Sequence, residues 1–268
     1  MEIARSIEGP SRHIRLSDLD GIQLSSAIGP WPEPPSFQES LADETCPLVL
    51  ERLWTKEPTP VLVCFGGLKG NLVVPPLEFM RTTQSLGVHR VFLRDLNQCW
   101  YQKGLPGYGS DVPSAATALT SVVESLNPSR RVFIGTSSGA FAATLFGALT
   151  GADEVLAFGP QSSIDRVTRR LCHDNRWPEE IKKARRSSVD RRHINLVRLL
   201  SSTPDLGRIS VHYGADDIRD AAYARRLATV SGVTVTAHPG DHTFVRQLRD
   251  AGELEPLLHS ALYQNETH

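Results

Sequence analysis

The chain has 268 residues, 40% apolar and 22% charged, with 20 glycines and 18 prolines. This is an ordinary soluble globular composition that excludes disordered, collagen-like and coiled-coil chains and allows one large core, so we expect one domain with an insertion. The 29 basic residues nearly cancel the 30 acidic ones, for a formal charge of -1, so no global field draws the protein to nucleic acid or to a membrane surface.

No uninterrupted apolar run approaches the ~18 residues of a membrane helix, and the first residues, MEIARSIEGPSRH, lack the ~7–15-residue apolar stretch of a secretory signal. The expectation is a cytoplasmic protein without a membrane partner. Cys46, Cys64, Cys99 and Cys172 are scattered and form no C-x-x-C pair, which favours free thiols over a disulfide framework or a thiolate zinc site.

In chain order, residues 1–47 read as an irregular arm or edge strands, because Pro30, Pro32, Pro34 and Pro35 forbid a long helix there. From 48 to 268 the pattern becomes regular and reads as the main domain. Short β-branched or aromatic runs at 60–67, 89–95, 130–135, 153–159, 208–214 and 233–240 have the composition of buried strands. Helical periodicity fills the gaps at 75–86, 112–126, 140–151, 220–230 and 243–262. The alternation predicts an α/β fold, a mostly parallel central sheet with helices on both faces. Residues 161–206 break the rhythm, being polar and helical with no strand, and read as a helical cap or insertion over the sheet edge.

The stretch 130–151 carries the chemistry: a strand, then Gly135-Thr136-Ser137-Ser138-Gly139, then a helix of small residues. G-x-S-x-G in that context is a nucleophile elbow, whose sharp turn strains the serine and leaves no room for side chains two residues to either side. Ser137 has that spacing; Ser138 does not, with Thr136 and Ala140 at its flanks. A serine hydroxyl needs a base and a carboxylate to orient the base. Asp216 and Asp217 follow the strand ending at Gly214, and His242 follows the strand ending near Gly240.

In the elbow and in the order Ser, Asp, His, the chain resembles the α/β-hydrolase superfamily from about residue 48 onward. The family's spacing implies Asp217 as the acid, with Asp216 as the alternative and an N-cap as the other role open to either. It implies His242 as the base, with His238 as its competitor. For the oxyanion it implies the backbone N–H of Ser138 and one from Gly67 or Leu68, in a loop with Phe65 where many members carry histidine. Trp100, Tyr101 and Asn97 follow another strand end and are candidate pocket residues.

Residues 163–208 hold twelve basic and six acidic residues, either a solvated surface or an attraction for an anionic substrate or carrier. The expected activity is a serine hydrolase or acyltransferase acting on an ester, thioester or amide of a small or tailoring substrate, acyl carrier or peptide. Neither a cofactor nor a metal is expected, and no nucleic-acid motif is present. Two other functions use the same fold: an epimerase, lyase or isomerase, and a non-catalytic binding protein.

Overall fold

Strands β1 (Leu48–Glu51), β2 (Thr59–Phe65), β3 (His89–Leu93), β4 (Pro128–Thr136), β5 (Glu154–Phe158), β6 (Arg208–Gly214) and β7 (Val233–His238) form a single sheet. Their order is β1-β3-β2-β4-β5-β6-β7. All neighbours are parallel except β1, which runs antiparallel to β3. This computed structural model describes residues 36–68 and 79–263, which lie in a unit running from Pro35 to His268. The proline-rich segment 1–35 lies outside the described residues, as do Lys69, Gly70 and most of the first half of the helix expected at 75–86.

The period-2 alternation of the strands sorts their side chains onto two faces. Val61, Val63 and Phe65 of β2, Phe133 of β4, and Val155 and Ala157 of β5 join one apolar cluster. Leu62, Cys64, Val132, Ile134, Leu156 and Phe158 join the other. The first face is covered by α2 (Val112–Glu124), α3 (Ser138–Thr150), α6 (Leu196–Ser201) and α7 (Ile218–Leu227). The second is covered by α8 (Phe244–Asp250) and α9 (Leu254–Tyr263). Both layers of an α/β sandwich are thereby filled. Among the described residues no helix is long and apolar enough to cross a membrane.

Four sequence expectations are corrected. The segment before residue 48 is not wholly irregular: Phe37–Ala42 form α1, started by a capping box in which Ser36 and Glu39 exchange hydrogen bonds. Residues 79–86 form turns rather than a helix. The single helix expected over 243–262 is two, because Gly252 adopts φ +74°, a left-handed conformation that ends a helix.

The 161–206 segment contains α4 (Arg166–Leu171), α5 (Pro178–Ser187), a 3-10 turn at Arg191–Ile194 and α6, but it does not sit over a sheet edge. It joins two interior strands, and Ile164, Ile181, Ala184, Ile194, Leu196 and Leu199 anchor it in the first apolar cluster. Its last helix, α6, packs on α3.

Candidate active site

The C-terminal ends of β4, β6 and β7 bring three loops together. At the end of β4, Ser137 adopts φ 55° and ψ -117°, a conformation that a non-glycine residue holds only when its surroundings enforce it. The glycines beside it supply the room. A Cβ on Gly135 would lie 2.3 Å from the backbone of Gly139, and one on Gly139 would lie 2.3 Å from Phe65 O. The turn is fixed further by Ser137 N–H donating to Phe158 O at 2.8 Å. Beneath it Phe65, Tyr101 and Phe146 pack with ring centroids 5.5–6.1 Å apart. Each such aromatic pair contributes about 0.5–1.5 kcal/mol beyond its buried area.

His242 sits between β7 and α8, with its Nε2 3.0 Å from Ser137 Oγ. Its Nδ1 lies 2.6 Å from Asp220 Oδ2. An ionised carboxylate only accepts, so Nδ1 carries the hydrogen and Nε2 is left to accept from the serine hydroxyl. The Asp220 side chain is 1% exposed and that of His242 is 27% exposed, so the imidazole reaches solvent while the carboxylate behind it does not. Ser137 and His242 are thus brought together as the sequence suggested.

The carboxylate is not the expected one. Asp217 is the N-cap of α7, accepting from Arg219 N at 2.9 Å and Asp220 N at 3.3 Å, and the Arg219 guanidinium grips both its oxygens at 3.0 and 2.7 Å. Burial works to raise the Asp217 pKa, but the Arg219 side chain and the two backbone donors outweigh it and hold it at about 2. Asp216 is exposed and accepts from Gly240 N at 3.1 Å, tying the β6 loop to the histidine loop. Asp220, one helical turn further on, is the carboxylate that faces the imidazole. His238 points elsewhere: its Nε2 lies 2.9 Å from His212 Nδ1. Burial, then the neighbouring His238, pushes His212 down to about 4.

Sequence reasoning also missed Gly159, after β5. It has φ +60°, and a Cβ there would lie 3.1 Å from Asp220 Oδ2 and 3.3 Å from the His242 ring. The signal was present as a glycine just past a strand end at the middle of the sheet.

Of the oxyanion candidates, Ser138 is buried at the first position of α3. Leu68 N–H is close by but donates to Ser138 Oγ at 2.8 Å, and Gly67 is half-buried beside it. The loop entrance is braced by Tyr101, whose hydroxyl lies 3.0 Å from Gly66 O and 2.9 Å from Leu93 O.

Trp100 and Tyr101 are not surface contacts for a substrate, being 0% and 1% exposed. Trp100 Nε1–H donates to Gln161 Oε1 at 3.3 Å. The buried Asp95 organises their loop, accepting from Cys99 N at 2.6 Å and Tyr101 N at 3.1 Å. Asn97 is partly exposed and its carbonyl takes Lys183 Nζ. It lines an open depression of about 630 Å³ with Lys103, Pro106 and Ser110, and none of Ser137, Asp220 or His242 lines that depression.

Among the described residues Asp217, Asp220 and His242 form the group with metal-like spacing, their ligand atoms all within 4.8 Å of one another. Arg219 holds both oxygens of Asp217, and the imidazole holds Oδ2 of Asp220.

No protein-family model matches the chain, and no curated protein matches it by sequence. Solved structures do match by shape. The Staphylococcus aureus fluorophosphonate-binding serine hydrolase FphF aligns with a TM-score of 0.59 at 12% identity, over 81% of this chain and 92% of that one. Est1E from Butyrivibrio proteoclasticus aligns with a TM-score of 0.54 at 12% identity, over 80% and 95%. The capsule O-acetyltransferase of Neisseria meningitidis serogroup A aligns with a TM-score of 0.52 at 10% identity, over 77% and 89%. The architecture they share with this chain is the α/β-hydrolase fold.

Proposed function

We propose that this protein is a serine hydrolase or acyltransferase that cleaves an ester, thioester or amide of a small or tailoring substrate. The observation that carries the reading is the continuous line from a strained serine through His242 to a buried carboxylate, 3.0 Å and then 2.6 Å. Its support from the comparisons is architectural: a serine hydrolase and an O-acetyltransferase are both among the neighbours that share this fold.

Ser137 Oγ attacks the acyl carbon while its proton passes to His242 Nε2. Asp220 holds Nδ1–H in place and stabilises the imidazolium that forms. Negative charge gathers on the acyl oxygen, where the Ser138 N–H supplies a donor. The imidazolium then returns its proton to the departing alcohol, thiol or amine as its bond to carbon breaks, leaving an acyl-Ser137. Water or another acceptor, deprotonated by His242, completes hydrolysis or transfer.

Intact-mass analysis after fluorophosphonate treatment tests this. One adduct is expected in the wild type and none in Ser137→Ala or His242→Ala. A folded wild type that takes no adduct overturns the reading in favour of an epimerase, lyase, isomerase or binding role.

A further inference from the structure

The triad carboxylate has an unusual back side. Asp220 Oδ2 is bonded to His242, but Oδ1 is buried and has no hydrogen-bond partner. The nearest cation is Arg176, whose Nη2 lies 3.8 Å from it. Arg176 comes from the β5–β6 crossover, not from the sheet loops that carry the triad. Its guanidinium is not free to wander. Asp174 accepts from Nε at 2.9 Å and from Nη2 at 3.0 Å, and Asp174 in turn accepts from the Tyr223 hydroxyl of α7 at 3.1 Å. His173 and Trp177, on either side of this short segment, both adopt left-handed backbone, φ 51° and 54°, so the chain accepts strain at two positions to present it.

We infer that Arg176 is a positioning residue for the reaction, a fixed guanidinium that orients the unbonded oxygen of Asp220 and moderates the negative charge behind His242. The inference rests on His242 acting as the base.

The charges around the base make the role concrete. Asp220, Asp217 and Arg219 come from α7, Asp174 and Arg176 from the crossover, and Asp241 from the histidine's own loop; Tyr223 and Ser137 are the neutral neighbours. Three buried carboxylates (Asp174, Asp217, Asp220) face two guanidiniums, Arg176 and the partly exposed Arg219. Protonation of His242 brings that group to balance, the state reached when the serine gives up its proton. Arg176 offsets part of the negative charge that stands behind the imidazole.

The test is the titration of the His242 ring, followed by NMR at its Cε1–H and assigned by loss of the signal in His242→Gln. Arg176→Gln, which keeps a donor for Asp174 but no charge, is expected to raise the His242 pKa by about one unit, as loss of a nearby like charge does. Arg176→Lys is expected to leave it close to wild type. Asp174→Asn is expected to move it down, the opposite sign, and it carries the test alone if Arg176→Gln does not fold. In fluorophosphonate labelling the acidic limb of the pH profile should move in Arg176→Gln and Asp174→Asn, in opposite directions, and stay in place in Arg176→Lys. A His242 titration unchanged in Arg176→Gln or Asp174→Asn overturns the inference and leaves Arg176 as a brace for the crossover. Shifted titrations in a wild type that never labels sustain the coupling and overturn the hydrolase reading instead.

Discussion

Exchanging Asp220 for asparagine separates the carboxylate that the geometry selects from the one that the family spacing suggests. The His242 Nδ1 to Asp220 Oδ2 contact is 2.6 Å and the carboxylate is 1% exposed. The contact stabilises the imidazolium that forms as the serine gives up its proton, and the exchange removes that stabilisation. An asparagine that donates to Nδ1 also places the ring hydrogen on Nε2, where it opposes the serine proton, so Asp220→Asn is expected to slow reaction by about 10³- to 10⁴-fold.

Asp217→Asn, by contrast, keeps a good N-cap and loses only the Arg219 pair, whose cation is 35% exposed. Its reactivity should stay within about threefold, with stability lower by about 1 kcal/mol and Tm by about 2–4 °C. The assay is the second-order rate constant for fluorophosphonate labelling near neutral pH, with thermal unfolding to confirm folding. Equal losses in the two variants, or an Asp220→Asn within about threefold of wild type, would refute the assignment.

Gly159→Ala should fall about tenfold or more in labelling with little change in circular dichroism, because its methyl presses on Asp220 and His242 and a displacement of the order of 1 Å costs up to about 100-fold. Tyr101→Phe, which leaves Gly66 O without the buried hydroxyl, should lower stability by about 1–2 kcal/mol in urea unfolding and slow labelling without moving its pH limb. Acid stability should carry the mark of His212. Its folded pKa of about 4 lies below the ordinary histidine value of 6.5, so the contribution is complete above about 6.5 and is lost as pH falls through about 4. Near pH 5 that amounts to about 2 kcal/mol, and His212→Phe, stacked on Phe158 as the imidazole is, should show a shallower fall in Tm between pH 7 and 5.

Six of the seven strands and most helices were legible because their periodicities are physical constraints, whereas β1, four residues at Leu48–Glu51, is too short to show one. Val61, Val63 and Phe65 alternate with Leu62 and Cys64 between two apolar layers, and no other arrangement buries both sets. The elbow was legible for the same kind of reason, since Gly135 and Gly139 leave space that a side chain would fill. The loop from Asp95 to Gly104 was not. Aromatic residues past a strand end look like pocket lining in one dimension, and what buries Trp100 and Tyr101 is a three-dimensional event: Asp95 folds the loop back on itself, with Gln98, Trp100 and Tyr101 at φ 49°, 54° and 58°.

The acid escaped for a subtler reason. Asp217 and Asp220 are three residues apart at the start of α7, and side chains at that spacing share a helix face, so both point toward the histidine loop. Counting from Gly214 therefore finds the correct face and stops one turn early. What separates them is their partners. Arg219 holds Asp217 by both oxygens while the exposed Asp216 is held by Gly240 N–H, and each of these contacts fixes a loop rather than a proton. Asp220 is left with one oxygen for His242 and one turned to a cation from a distant part of the chain. The carboxylate that meets the imidazole is thus chosen by the charges that the neighbouring carboxylates have already taken, a property of the folded cluster that no spacing along the strand and turn encodes.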